Sequence, residues 1–415
     1  MAITQKSAIG SSPGKLNFLG GLVTFEGSHA LHAQTESKTT VLATVSSSTT
    51  LELSNAHKGK FSTDIDSLSE LCRSHASPEA FRMWLEQKQA PDWTHFSIGA
   101  LYTVSQKFQW FPDSGISFAI STDIPIDIGF NYSVSVEIAT LRALEKLSSN
   151  YFMEQELAKA SHEIELELLD RPCPIETPLT CAYGKPGSIL PLEGKYSKIR
   201  TAIDLPKGII LAACTLSAAN EVQLKKLCVA ADMGMAIYEK SANHETEYNS
   251  KISTSLFSRT IAEYLPEEIS GSDFKDRYGE FQQAHIKLDP NTVYPVKAAT
   301  KFAIQENDHS RLSMHMLSNM IHNAKRKSIE LVGELMLQSY EQSKTLGFTS
   351  ESTDNAIEIL TQIGASKGVY GARINHGFAK SSLVILLERS SLKIVRNSLN
   401  QGSELDVGEP VLVIQ

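Results

Sequence analysis

The stretch DIPIDIGFNYSVSVEIATLRAL, Asp123 to Leu144, decides how the rest of the chain is read. It opens extended, turns through Pro125 to Gly129, passes a short polar run and continues as a helix. Val134, Ile138, Leu141 and Leu144 recur at offsets of four, three and three, one apolar stripe of an amphipathic helix. The polar run Asn131-Tyr132-Ser133 falls where first-turn amides have no partner inside the helix. Such a helix start gathers N–H groups and partial positive charge, and so attracts an anion such as phosphate. Gly129 would let the backbone approach that anion closely. The same pattern also fits an ordinary loop-to-helix junction whose polar residues are caps.

Outward from this stretch, 415 residues suggest roughly two to three domains. Hydrophobic residues at 41% and charged residues at 21% describe a soluble globular chain. A net charge of −8, with no basic tract interleaved with aromatics, argues against a nucleic-acid partner. No apolar run approaches membrane-spanning length, and MAITQKSAIGSSPGK lacks the apolar core of a signal peptide. The five cysteines are scattered, odd in number and without metal-ligand spacing, as expected of reduced packing thiols in a cytoplasmic protein. Nothing in the pattern sets an oligomeric state.

Along the chain, residues 1–12 read as a loose lead-in, and PGKLNFLGGLVTFEGSHAL from Pro13 as tight turns within two short strands. Strands are expected at Thr39 to Thr50, Leu51 to Ser54 and Gly115 to Ser121. Helices are expected at Ser67 to Lys88, broken at Pro78, at His95 to Lys107 and at Tyr151 to Leu169, the last stopped near Pro172. Cys173 to Pro186 reads as a loop, and Thr201 to Leu216 as two strands around Pro206-Lys207-Gly208. Helices follow at Asn220 to Ser241, Ser253 to Tyr264, Asp273 to Ala284, Thr300 to Ala324, Ser328 to Leu346 and Ser350 to Ile363. Gly371 to Ile374, Leu383 to Leu387, Leu392 to Arg396 and Val411 to Ile414 read as closing strands. The composition shift after Pro186 puts a domain boundary near 185–205, drawn as 1–195 and 196–415, and the mixed order favours α+β. Neither a strand–GxGxxG–helix nor a GxxxxGK[ST] run occurs.

Three segments, in this order, resemble the signature motifs of the GHMP kinases, and of their galactokinase branch in particular. PGKLNFLGGLVTFEGSHAL is similar to the opening PGRVNLIGEHTDYNGG pattern, IPIDIGFNYSVSVEIATL to the nucleotide loop PxxxGLSSSAS, and GARINHGFAKSSLVILLE to GSRMTGGGFGGCTV. Between them, ATKFAIQENDHSRLSMHML resembles the family's helix with an R-H-V-x-x-E-N-x-R core. The resemblance implies an N-terminal α/β (ribosomal S5-like) domain and a C-terminal ferredoxin-like domain, with nucleotide and sugar in the cleft between them. It also implies ATP and Mg2+ as cofactors.

Carried over residue by residue, the resemblance puts Pro125, Gly129, Asn131, Tyr132 and Ser133 in the nucleotide loop, with Gly377 in the third, glycine-bearing loop. Ser133 falls on the serine that faces magnesium and phosphate, and Glu163 on the magnesium carboxylate. Glu163, Glu165 and Glu167 alternate on a helix, so they cannot all face one ion. Glu176 takes the place of the catalytic aspartate, and Lys15 that of its accompanying arginine, keeping the charge but losing the planar fork. Tyr132 puts a ring where a hydroxymethyl is expected. The family's sugar-gripping E-H-T-D-Y reads Gly21-Leu22-Val23-Thr24-Phe25 here, so unmodified galactose loses its polar partners. Thr24, Glu26 and His29 are expected to supply substitute contacts for a small sugar or polyol.

Two functions follow. One is a galactokinase-like, ATP-dependent sugar kinase acting on something other than unmodified galactose. The other is a catalytically impaired homologue that uses the same site to sense or bind a ligand.

Overall fold

The computed structural model describes residues 6–20, 28–125, 129–171, 173–185, 187–193, 198–218, 221–242, 252–280, 288–320, 326–375, 380–402 and 412–414. Its contacts divide the chain into two compact units, neither of them a single stretch. The first takes Met1–Lys15, Gln34–Ile126 and Phe130–Gly184, and the second takes Leu16–Ala33, Asp127–Gly129 and Lys185–Gln415.

The first unit is a sheet covered by helices. Its strands are β1 (Lys6–Leu19) and β2 (Ala30–Val45), which belong to it up to Lys15 and from Gln34, with β3 (Thr50–Asn55), β4 (Gly59–Asp64) and, later, β5 (Ile116–Thr122). They lie in the order β4-β3-β5-β2, with β1 also on β2. β3 runs parallel to β5 from Leu51 opposite Ile116, and β2 antiparallel to β5 from Thr39 opposite Thr122. The helices are α1 (Asp66–Arg73), α2 (Pro78–Gln87), α3 (Asp92–Phe108), α4 (Tyr132–Ser148), α5 (Glu154–Glu163) and α6 (Glu176–Tyr183).

The helix expected after Gly129 is α4, but its burial is wider than one stripe. Val134, Ile138, Leu141 and Leu144 have no exposed surface, and neither do Ser135, Glu137 and Thr140. α3, α5 and α6 all pack against it. β1 closes another side so tightly that a Cβ on Gly10 would lie 2.0 Å from the carbonyl oxygen of Ala139. The polar groups inside are therefore bonded internally: Thr140 to Ser97 at 3.0 Å, and the Ser135 hydroxyl to the Ser12 carbonyl at 2.7 Å.

The second unit holds β6 (Ser188–Glu193), β7 (Lys198–Ile199), β8 (Ile203–Asp204), β9 (Ile209–Ala218), α7 (Glu221–Ala242), α8 (Thr254–Leu256), β10 (Ile269–Ser270), α9 (Gly271–Tyr278) and β11 (Val293–Tyr294). It continues with α10 (Val296–Met320), α11 (Arg326–Thr345), α12 (Glu351–Ile363), β12 (Val369–Asn375), β13 (Lys380–Glu388), α13 (Leu392–Gly402) and β14 (Leu412–Ile414). Ala30–Ala33 of β2 pair antiparallel with β6, which also pairs with β7 and β8. A separate antiparallel sheet has the order β12-β13-β9-β14, with Leu383 opposite Cys214 and Leu412 opposite Ala213. One face of its core contains Ile210, Ile385 and Leu387 with Leu360 of α12 and Leu399 of α13, while α7 and α10 build a second core around Met233, Phe274 and Phe302.

Several elements depart from the sequence expectation, four of them instructively. The lead-in is strand from Lys6, because backbone pairing with β2 orders it without apolar side chains; its Ser7 hydroxyl lies 3.0 Å from that of Thr44. The Cys173 to Pro186 loop contains α6, whose Pro178 sits in the first turn, where a helix needs no amide donor. Leu392 to Arg396 is the start of α13 rather than a strand: Val395 and Leu399 are the buried pair, and their spacing of four is helical. The helix expected to Leu169 changes at Ile164–Leu168 into a π turn, with the Leu169 amide bonded to the Ile164 carbonyl at 2.9 Å. All five cysteines are buried and unbridged. Among the described residues, no helix is long and apolar enough to cross a membrane.

The contact between β1 and α4 can be tested directly. Gly10→Val should destabilise the protein by about 2 kcal/mol or more, as overpacking of a closed interior does, read as a lower urea midpoint at unchanged slope.

Candidate functional site

The first unit collects buried ionisable groups near the start of α4. Two left-handed residues lead into the helix, Gly129 at φ 80° and Asn131 at φ 56°. Asparagine tolerates that conformation, and the Asn131 side chain makes no capping bond to the helix. Pro125 is half-buried ahead of them; Ile126 to Ile128 lie outside the described residues. Phe130 anchors the turn, its carbonyl accepting the Lys15 amide at 3.1 Å.

Tyr132 occupies the first position of α4, and its ring turns into the unit's interior. It meets Phe96 of α3 edge-on at 6.1 Å, and its hydroxyl accepts a hydrogen bond from Asn55 at 3.3 Å. Burial lifts the phenol to about 12, against a smaller downward pull from Asn55. Tyr132 is thus a packing residue.

Ser133 and Glu137 stand one helical turn apart, and Glu165 comes to them from the π turn. The extra residue in that turn rotates Glu165 inward, to 3% exposure, while Glu163 stays half-exposed with Lys159 at 3.6 Å. Glu165, rather than Glu163, hydrogen-bonds with Ser133. Burial pushes the Glu165 carboxyl up, opposed by the Arg171 guanidinium 3.3 Å away and by hydrogen bonds from Ser133 and Glu137. Burial also holds Glu137 well above the usual carboxylate range, and the neighbouring Glu165 charge adds to it. Both carboxyls are therefore raised, Glu137 the more strongly. Ser161 donates to the other side of Glu137, and Arg171 lies over the Phe96 ring, 5.2 Å from its centroid.

Lys15 and Glu176 are both almost fully buried. Burial lowers the Lys15 ammonium to about 8, against upward pulls from Cys181, Cys173 and Glu176. Glu176 opens α6, and the Thr180 hydroxyl, one turn on, donates to its carbonyl at 2.7 Å. A buried ammonium near a buried carboxylate can hold a proton at either partner, as general acid–base chemistry at an anionic centre needs.

Ser133 and Glu165 offer hard oxygen donors of the kind Mg2+ prefers. Among the described residues, no group of three or more His, Cys, Asp or Glu side chains forms a metal cluster. A magnesium ion here would take its remaining ligands from phosphate oxygens and water, which suits its usual habit.

In the second unit, His29 is buried against α10. Its amide donates to Asn307 Oδ1 at 2.8 Å, and its ring Nδ1 lies 2.9 Å from the same oxygen. Next to Asn307, the fully buried Glu306 pairs with Arg373 at 2.9 Å. Arg373 and His309 hold the Glu306 carboxyl down at about 2 despite its burial. Arg373 also donates to the carbonyls of Phe18 and Gly20. Asn375 accepts from the Asn17 amide at 3.3 Å and donates to the Gly129 carbonyl at 3.4 Å. Thr24, Glu26 and Gly377 lie outside the described residues.

Sequence reasoning passed over Glu137, Arg171 and the place of Asn307 beside His29. Glu137 had a usable signal, its spacing of four from Ser133. The inward turn of Glu165 had none, since a π turn leaves no mark in apolar periodicity.

With this geometry in view, comparison with known proteins gives a consistent answer. Residues 95–185 match the family described as GHMP kinases N terminal domain. An L-arabinokinase of Arabidopsis thaliana is 19% identical over 355 residues, covering 76% of this chain and 34% of its own length. The chain thus spans about a third of that relative. A galactokinase of Thermotoga neapolitana is 21% identical over 311 residues, 75% of each chain. The fold matches that of Lactococcus lactis galactokinase, solved in complex with galactose, with a TM-score of 0.73, 17% identity and coverage of 99% of this chain and 93% of that one. The protein has the two-domain α+β fold of the GHMP kinases. The fold is galactokinase-like.

Were Mg·ATP to bind here, Glu165→Gln would weaken it at least about tenfold by calorimetry, as loss of a charged ligand does, and Glu163→Gln by less than about twofold. Lys15 carries a stability signature. Because its folded value lies below 10.5, the unfolded chain binds the proton more tightly, so Lys15 costs stability below pH 8 and the cost fades between pH 8 and 10.5. The gain across that window should be on the order of 3 kcal/mol. Chemical denaturation of Lys15→Met should show a correspondingly flatter rise with pH.

Proposed function

We propose that this chain is an ATP- and magnesium-dependent kinase that transfers the γ-phosphoryl group to a hydroxyl of a small sugar or polyol other than unmodified galactose. The observation that carries the reading is the shared burial of Lys15 and Glu176 in the first unit, with Ser133 and Glu165 as oxygen donors near the start of α4. Phosphoryl transfer asks a protein for positioning and charge neutralisation more than for covalent chemistry.

In this reading the turn from Pro125 through Gly129 and Asn131 to Ser133 cradles phosphates with backbone amides, which survive the change of side chains. Gly377 is assigned to the same task from the third motif. Ser133 and Glu165 hold the magnesium ion, which, when bound, neutralises charge on the β- and γ-phosphates. Glu176 accepts the proton of the attacking hydroxyl, and Lys15 balances charge on the transferred group. His29, with Thr24 and Glu26, contacts the acceptor. Residues 1–195 and 196–415 then serve as the family's two domains, and ATP and reduced cysteines both suit the cytoplasm.

Tyr132 supports the second reading, a ligand-binding homologue without turnover. A ring packed against Phe96 supplies no hydroxyl to a phosphate, unlike the serine that the resemblance expects there. Two measurements separate the readings. A kinase should melt measurably higher in millimolar Mg·ATP and release ADP with at least one sugar of a panel that includes L-arabinose and D-galactose. Glu176→Ala should then abolish turnover while nucleotide affinity stays within about twofold. Absence of both the melting shift and ADP release would leave only the fold in common.

A further inference from the structure

The sheet of the first unit ends on β4, which has a neighbour on one side only. β4 lies last in the strand order and pairs antiparallel with β3, from Thr50 opposite Asp64 to Asn55 opposite Gly59. Among the described residues, the backbones of Lys60 to Thr63 bond to no element but β3. The two faces of the strand differ. Phe61 and Thr63 stand opposite the buried Leu53 and Leu51 on the core side, yet both are only half-buried. Lys60, Ser62 and Asp64 are exposed on the other face, and Lys60 has no ion-pair partner among the described residues.

An uncovered edge recruits another strand, and proteins usually guard such edges with lysine. Here the guard has its complement within the same six residues, GKFSTD. When this segment pairs antiparallel with itself about Ser62, Lys60 falls opposite Asp64 of the other copy, and Asp64 opposite its Lys60. Ser62 then meets Ser62, and Phe61 meets Thr63 on the core side, where the ring is open to water. Sliding one strand by two residues puts Lys60 or Asp64 opposite Ser62 and leaves the charges unanswered. Sliding it by one sets the open face of one copy against the core side of the other.

We infer that β4 is a homodimerisation edge, joining two copies of this chain β4 to β4 about a two-fold axis at Ser62. Opposite charges directly across a strand pair stabilise it, and a two-fold contact makes each such pair twice. Six residues span about 20 Å, so with a helix layer behind the strand the edge covers roughly 400 Å2 per copy, short of a standard interface. The dimer is therefore reversible and depends on concentration. It is independent of the kinase reading.

The test is sedimentation velocity of the full chain, 45.6 kDa as a monomer, across the micromolar range. The average mass should climb towards twice that value. Lys60→Glu puts like charges at both cross pairs, and so does Asp64→Lys, so each alone should weaken association at least about tenfold. Mixed together, the two variants regain both opposite-charge pairs and should associate within about threefold of the wild type. Ser62→Cys supplies a second measurement, because all five native cysteines are buried. Oxidised glutathione should link its copies covalently, in much lower yield when Lys60→Glu is added. Asp64 also accepts the Ser67 amide at 3.3 Å, so if Asp64→Lys does not fold, Lys60→Glu and the cross-link decide. A chain that stays monomeric, association untouched by Lys60→Glu, folded variants that ignore each other when mixed, or open-ended aggregation overturns the inference.

Discussion

Taking a charge out of water is costly unless something nearby answers it, and that constraint organises both units of this protein. In the second unit the answer is direct. Glu306 and Arg373 are buried together at 2.9 Å, and Nη1 of the guanidinium donates to the Phe18 and Gly20 carbonyls. In the first unit the answers are partial. Glu137 meets the cost by a tighter hold on its proton, Glu165 by leaning on Arg171 and Ser133, and Lys15 by a weakened hold on its own proton. Partial compensation is characteristic of functional sites, where a group has to change its partner or its proton. The firmly paired Glu306 and Arg373 work as scaffold, and the loosely paired residues around α4 are where chemistry is to be sought.

Much of the architecture can be read from residues alone, because long helices carry their own signal. α7, α11 and α12 begin and end within about two residues of where periodicity puts them, the usual scatter of helix ends. The misses share one cause, tertiary context overriding local pattern. Leu392 to Val395 is apolar and partly β-branched and reads as strand, yet the spacing of Val395 and Leu399 serves a helix packed beside α12. Ser7, Ser11 and Ser12 look like a lead-in, yet β2 needs a partner and orders them as strand. Pro178 reads as loop chemistry although it stands where helices accept proline.

The site was legible unevenly for the same reason. Lys15 and Glu176 are far apart in sequence, and only the family resemblance pairs them; the fold buries both and lets each feel the other. Which of Glu163, Glu165 and Glu167 turns inward hung on the local helix geometry, and the π turn buries Glu165. Tyr132 looked like an obstruction from the sequence, since residue type says nothing about rotamer. Its ring leaves the loop for the company of Phe96 and Asn55.

The interleaving of the two units has a consequence for how the chain folds and how it can be cut. Ala30–Ala33 pair with Leu192 back to Ile189, so these strand partners are synthesised some 160 positions apart. An early strand must wait for most of the first unit to emerge before its hydrogen bonds can close, which makes for slow, topologically demanding assembly. A fragment beginning at Lys185 would keep most of the second unit's helices yet leave one edge of β6 without the strand that covers it. Bare edges recruit strands from other molecules, so such a truncation invites self-association where the intact chain has a closed ladder.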